Sequence, residues 1–339
     1  MNVLVVGGTG FLGGAVADAA MAAGHAVSIF ARGRTKRQAD PHVETIVGDR
    51  FGNLSRLRDR RFDLVVDTCA FSPDAVAELL DALSPSTRRY ALVSSISVYA
   101  DLSKPSMDET APTSRATPEQ VAMARALPAD QRSSAAAYGT AYGALKREAE
   151  LVALSRLGDR ALIWRAGLLV GAGDYTDRLT YWVRRIDHGG TIPSPGDPER
   201  LVQLIDVRDA AAFIVAAGEK GLSGTFNLTG RPVPMAAVFE ACREVTGSDA
   251  RFVWRPEAAI LAAGLAPWSE VPLWLPSSDA ASRYLLEIST DKAFAAGLSV
   301  RGLQETLRNI LDWDRGRRAT PLKAGMPPDK EARLLASET

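Results

Sequence analysis

The 339-residue chain is poor in the residues that build staples and metal centres. It has two cysteines, Cys69 and Cys242, and three histidines, His25, His42 and His188. Two cysteines in apolar surroundings cannot make a disulfide framework, and three scattered histidines have no zinc-ligand spacing. Charge of one sign is missing too: 40 Lys and Arg balance 40 Asp and Glu. That balance leaves no electrostatic footprint for a nucleic acid or an acidic membrane. No apolar run reaches the roughly 18 residues of a membrane span. The amino terminus reads as a core strand, not as a basic leader followed by an apolar stretch. These absences point to a reducing cytoplasm and a small-molecule substrate, with no metal, nucleic acid or membrane.

What is present is ordinary globular material, 46% hydrophobic and 24% charged, in a chain long enough for one large core and a dependent lobe. It is organised around its first fourteen residues. Val3, Leu4, Val5 and Val6 make a short strand-like run. Gly7, Gly8, Thr9 and Gly10 follow, and Phe11-Leu12-Gly13-Gly14 opens an Ala-rich helix. Strand, glycine turn and helix in that order set a pyrophosphate against free N–H groups at a helix start. Gly7 allows the tight turn, Gly10 the approach of the phosphates, and Gly13 the close packing of helix on strand. The bland reading of such a turn is a βα connection without a ligand.

Downstream, apolar strand-like runs alternate with helical stretches. Strands are expected at His25–Phe30, Val43–Arg50, Phe62–Ala70, Tyr90–Ser95 and Ala161–Arg165. A helix is expected from Pro73 to Leu83, with Ser72 as its cap, and another from Ala135 to Leu157. The fold class is therefore α/β, a doubly wound parallel (Rossmann) sheet with a smaller C-terminal substrate lobe. Residues 1–170 form the dinucleotide-binding core and 171–314 mostly the lobe. Within that lobe, Val202–Asp206 and Gly224–Leu228 read as strands returning to the sheet, and 315–339 reads as a flexible tail. After the second strand comes Ala31-Arg32-Gly33-Arg34-Thr35-Lys36-Arg37, with no acid before Asp40. An acid there would hold a ribose 2′-hydroxyl, whereas Arg suits a 2′-phosphate. NADP is the expected cofactor, on Arg32 and Arg34, with NAD as the alternative; a merely solvated basic loop is the bland reading.

Tyr142-Gly143-Ala144-Leu145-Lys146 places a tyrosine and a lysine on one helix face. A phenol needs its pKa of about 10 lowered to work near neutrality, and an adjacent ammonium does this. The lysine can also hold a ribose. Ser95, at a strand end, can polarise a substrate oxygen. Tyr138, one turn earlier, has no lysine at that spacing.

Taken in order, Gly7 to Gly13, Gly48-Asp49, Ser94 to Tyr99, Tyr142 to Lys146, Arg165 with Gly171 to Asp174, and Ile205 to Ala210 carry a resemblance. Together they resemble the extended short-chain dehydrogenase/reductase family, the NAD(P)-dependent epimerase/dehydratase group. The resemblance implies Tyr142 as acid/base, Lys146 as its partner and ribose binder, and Ser95, four before Tyr99, as the substrate-oxygen anchor. It implies an adenine-side acid at Asp49, beside Arg50, and a ribose-lining segment at Cys69-Ala70-Phe71. Thr9, Phe11 and Leu12 fall within its glycine turn. It also implies a homodimer through the tyrosine-bearing helix.

Departures from that pattern bear on the reaction. Ile96-Ser97 stand where sugar-nucleotide dehydratases carry an Asp-Glu pair. Leu168 and Val202 replace an Asn and an Arg that hold nucleotide-sugars. With Trp182, Trp254, Trp268 and Trp274 in the lobe, a less charged, ring-bearing substrate is expected, although tryptophans of this kind commonly serve only packing. The leading expectation is an NADP(H)-dependent oxidoreductase acting on a carbonyl or secondary alcohol. The alternatives are an epimerase of a sugar-like substrate and a non-catalytic RNA-binding or redox-sensing relative.

Overall fold

The computed structural model describes residues 1–33, 42–85, 87–132 and 134–336. Its first half alternates strand and helix: β1 (Asn2–Val6), α1 (Phe11–Ala22), β2 (Ala26–Ala31), β3 (Val43–Val47), β4 (Leu64–Asp67), α2 (Pro73–Ala82) and β5 (Arg89–Ser95). A short helix α3 (Pro118–Ala126), the long α4 (Tyr142–Leu157) and β6 (Ala161–Ala166) follow. The C-terminal half contains β7 (Leu168–Val170), α5 (Arg178–Asp187), β8 (Thr191–Pro195), β9 (Leu201–Asp206), α6 (Val207–Glu219) and β10 (Gly224–Leu228). It closes with β11 (Pro232–Pro234), α7 (Met235–Thr246), β12 (Arg251–Arg255), α8 (Glu257–Ala262), α9 (Asp291–Ala295), α10 (Leu303–Arg315) and α11 (Pro328–Ala336).

The central sheet has seven parallel strands in the order β3-β2-β1-β4-β5-β6-β10. The chain winds from β1 to one edge and then back past it to the other. That reversal opens a crevice at the carboxyl ends of β1 and β4, where such sheets bind ligands. Both faces are covered. Val3 and Val5 of β1 point into a core shared with α1 and α6, while Leu4 and Val6 point into a second core under α2 and α4. This is period-two burial on two faces, and it explains why the strands are apolar throughout. Ser72 caps α2 as expected, its Oγ accepting from the Ala75 N–H at 3.4 Å.

Three expectations fail. The expected helix from Ala135 is broken: residues Ala135–Ala141 form 3₁₀ turns, and Gly139 sits at φ 49°, so α4 starts at Tyr142. Gly224–Leu228 does return to the central sheet as β10, but β9 does not. It pairs with β7 and β11 in a separate three-stranded sheet. The chain leaves the central sheet at Gly167, where a Cβ would come within 2.6 Å of Thr229, and β9 follows β7 outward. The tail is also structured. Residues 315–336 run along the lobe and end in α11, whose Leu334 is fully buried in the lobe core.

Candidate functional site

The glycine turn makes the cradle at the sheet's switch point. Gly7 has φ +83°, a value that L-side chains resist, and a Cβ there would meet Thr68 Oγ1 at 2.6 Å. A Cβ on Gly13 would lie 2.3 Å from the Gly7 carbonyl oxygen, so only glycine lets α1 pack this close to β1. The N-cap of α1 is Gly10, which offers no side-chain cap, and the first turn carries no acid. Its leading N–H groups are thus left to an anion. These features fit a dinucleotide pyrophosphate.

Two cavities flank the cradle and share Gly7, Gly10 and Cys69. The smaller, ≈ 230 Å³, is lined by Thr9, Arg32, Asp49, Arg50 and Phe51 among others. Arg32 stands directly after β2, exposed at its rim. Arg34 lies outside the described residues. Asp49 accepts from the Phe51 N–H at 3.0 Å. The Arg50 guanidinium turns inward instead. It makes a two-point pair with buried Asp67 at 2.5 and 3.0 Å, and donates to the Ala75 carbonyl and Cys69 Sγ. Cys69 therefore does not sit in the apolar surroundings expected of it; it lies against this ion pair, and burial pushes its thiol pKa up. Cys242 is buried in the lobe core.

The larger cavity, ≈ 390 Å³, brings together Phe11, Leu12, Gly13, Ser95, Tyr142 and Lys146. Lys146 is buried, and its Nζ donates to the carbonyls of Ala70 and Val93 at 2.7 and 2.8 Å. Burial pushes its pKa down to about 8, against the pull of Asp67. The ammonium lies 4.5 Å from the Phe71 ring centre and 5.9 Å from that of Tyr142. The expectation that Lys146 lowers the Tyr142 pKa is not met: burial pushes the phenol up to about 12, and a hydrogen bond with Ser95 pulls it back. Ser95 Oγ accepts from the Ser97 N–H and donates to Ser97 Oγ, both at 3.1 Å. Tyr138 faces away, its hydroxyl donating to the Arg132 carbonyl at 2.8 Å.

Sequence reasoning missed two parts of this site. Gly143 is the first: a Cβ there would be 1.9 Å from the Ser97 carbonyl oxygen, so glycine is what lets the start of α4 touch the Ser95–Ser97 turn. Its signal was a glycine inside the first turn of a helix. The second is the wall made by Asp174, Tyr175, Thr176 and Arg178. Of the lobe tryptophans, Trp182 is buried with its Nε1 donating to the Pro272 carbonyl, so it serves packing. Trp254 and Trp274 line a separate cavity of ≈ 530 Å³, and Trp268 lies under Arg178. Among the described residues no cluster of His, Cys, Asp or Glu could hold a metal, and no helix is long and apolar enough to cross a membrane.

A parallel sheet with a glycine cradle at its switch point and an uncapped helix above it is the architecture of a Rossmann-type dinucleotide-binding protein. Residues 3–229 match the NAD dependent epimerase/dehydratase family, and the chain belongs to that family, within the extended short-chain dehydrogenases/reductases. Solved structures share the fold at low identity. A UDP-glucuronic acid 4-epimerase from Bacillus cereus, in complex with NAD, is 16% identical, with a TM-score of 0.64 over 93% of this chain and 99% of that one. A UDP-N-acetylglucosamine 4-epimerase from Methanobrevibacter ruminantium is 18% identical, with a TM-score of 0.66 over 93% and 98%. A dTDP-glucose 4,6-dehydratase from Bacillus anthracis is 16% identical, with a TM-score of 0.64 over 94% and 98%. No curated protein matches the sequence significantly.

Proposed function

We propose that the protein is an NADP(H)-dependent oxidoreductase that interconverts a carbonyl and a secondary alcohol on a small organic molecule. The observation that carries this reading is the convergence of Ser95, Tyr142 and Lys146 on one cavity that adjoins the glycine cradle. Dehydration lacks support, because Ile96 and Ser97 occupy the positions of the expected acid pair. Nucleotide-sugar binding lacks two anchors: Leu168 and Val202 are apolar and packed into the lobe core. The preference for the phosphorylated cofactor rests on Arg32 at the rim of the smaller cavity, with no acid at the end of β2.

When bound, the nicotinamide supplies or takes up the hydride. The chain's own part is proton movement and positioning. Ser95 donates to the substrate oxygen, and Tyr142 holds the proton that oxygen gains or loses. Lys146 anchors the ribose side and supplies positive charge beside the phenol. Phe71 and Leu168 give the cavity apolar wall beside the reacting atoms.

A second reading, an epimerase with transiently used cofactor, is favoured by the epimerases among the structural neighbours. The test is NADPH consumption across a panel of ketones by the purified protein and by Tyr142→Phe. Stoichiometric consumption that the variant loses supports the oxidoreductase. Co-purified cofactor with substrate inversion and no net consumption supports the epimerase instead.

A further inference from the structure

Arg178 is the one guanidinium lining the larger cavity. It is the first residue of α5, half-buried, and has no carboxylate within ion-pair distance among the described residues. Its Cζ stands over the Trp268 ring, 4.8 Å from the ring centroid. Trp268 itself holds a left-handed backbone, φ +67°, a conformation a bulky side chain keeps only where its surroundings enforce it. Burial lowers the Arg178 pKa, so the charge is partly desolvated without being neutralised. Asp174 is the acid that faces it, but that carboxylate is occupied by the Thr176 N–H and hydroxyl at 2.7–2.9 Å and is itself pushed up by burial. Next to it Tyr175 is 64% exposed, an aromatic face at the mouth of the cavity. Lys146, the other cation lining the cavity, already donates to two carbonyls.

We infer that Arg178 is the receptor for a carboxylate of the substrate, so that the reacting molecule is a small oxo or hydroxy acid. This rests on the oxidoreductase reading for the reacting carbonyl, but not for the binding itself. A guanidinium held over an indole, with no resident carboxylate in ion-pair contact among the described residues, has its fork of N–H donors available to a planar two-oxygen anion. One fork beside a resident acid suits a single negative charge rather than a diphosphate. The exposed ring of Tyr175 adds a stacking face for an aryl or other planar substituent.

The test is calorimetric titration of the full-length protein, saturated with NADP⁺, using benzoylformate, pyruvate and acetoacetate, each against its methyl ester. At least one acid should bind more tightly than its ester by roughly 10- to 100-fold, the worth of a charge-assisted hydrogen-bonded pair. Arg178→Gln should remove that preference and leave ester and cofactor binding unchanged. Arg178→Lys, which keeps charge without the fork, should restore only part of it. Equal binding of acids and esters, no binding of any acid, or an unchanged preference in Arg178→Gln overturns the inference. Loss of cofactor binding in that variant marks misfolding, and Arg178→Lys then decides: a preference equal to wild type overturns the inference and a reduced one supports it. NADPH consumption is read separately: an acid that binds through Arg178 without being reduced removes the oxidoreductase reading and leaves the receptor standing.

Discussion

Glu150 on α4 and Arg165 on β6 form a two-point ion pair, Nε to Oε1 at 3.1 Å and Nη2 to Oε2 at 3.0 Å, with both side chains withdrawn from water. Glu150 also accepts from Ser94 Oγ at 2.6 Å, one residue before Ser95. Tyr142, Lys146 and Glu150 are spaced four apart on α4, so one helix face carries the site residues and the clamp that fixes them to the sheet.

Removing the charge of Glu150 leaves Arg165 buried and uncompensated. Glu150→Gln should destabilise the protein by about 3–5 kcal/mol, the usual cost of breaking a buried pair from one side. Glu150→Leu with Arg165→Met should recover part of that loss, because no buried guanidinium is orphaned on β6, while Arg147 and Ser94, which donate to Glu150 at 2.8 and 2.6 Å, still lose their acceptor. Urea unfolding of the three proteins checks this. A double variant as unstable as the single one would show that the clamp is more than an ion pair.

Tyr142→Phe should lower turnover by roughly 100- to 10,000-fold while leaving cofactor affinity intact, since it removes a proton donor and little volume. Gly143→Ala is the sharper probe. Its new methyl would lie 1.9 Å from the Ser97 carbonyl oxygen, a backbone atom that cannot swing away. The variant should lose about 1–3 kcal/mol of stability through overpacking, and turnover as well, because the Ser95 turn and the start of α4 must separate. An alanine variant with wild-type activity would mean that this contact does not set the geometry.

These residues show how far the sequence could be read. The cradle and the Ser95–Tyr142–Lys146 set were legible because each depends on short spacing within one or two elements. The Arg50–Asp67 pair was not: Arg50 lies in the loop after β3 and Asp67 ends β4, and the direction of a guanidinium is a tertiary fact. Likewise β9 carries the same apolar pattern as a central strand, and only its pairing with β7 takes it out of the sheet. The tail looked loose because its charges show no period. Several of those charges have partners far away in the chain: Arg317 on Asp177, Arg318 on Asp187, Glu331 on Arg185 and Lys330 on Glu270.

Lys146 gives a pH prediction with a definite sign. Its pKa falls from the ordinary lysine value of 10.5 to about 8 in the folded chain because burial disfavours the ammonium. Between those values the unfolded chain holds a proton that the folded one has released. Stability should therefore rise with pH across that window, by up to about 3 kcal/mol, and the burial penalty is fully present below pH 8. Lys146→Met, which cannot titrate, should lack this rise. Parallel stability–pH curves for wild type and Lys146→Met between pH 7.5 and 10.5 would refute it.

The C-terminal segment should act on substrate binding through one residue. Asp177, the buried N-cap of α5 at φ 58°, accepts from Arg317 at 2.6 Å and from the Lys323 N–H at 3.0 Å. It immediately precedes Arg178 and follows Tyr175 and Thr176, so the tail grips the loop that walls the larger cavity. Arg318 pairs with Asp187 at the far end of the same helix. Arg317→Ala should cost roughly 1–3 kcal/mol, because a buried acceptor loses a charged donor. It should also raise KM while leaving cofactor affinity unchanged, since neither Asp177 nor Arg317 lines the cavities at the glycine cradle. Arg318→Ala should lower stability without that rise in KM. If both variants shift KM alike, the segment contributes general stability to the lobe and does not position the loop. A shift with Arg317→Ala alone places the control of the cavity wall at the Asp177–Arg317 pair.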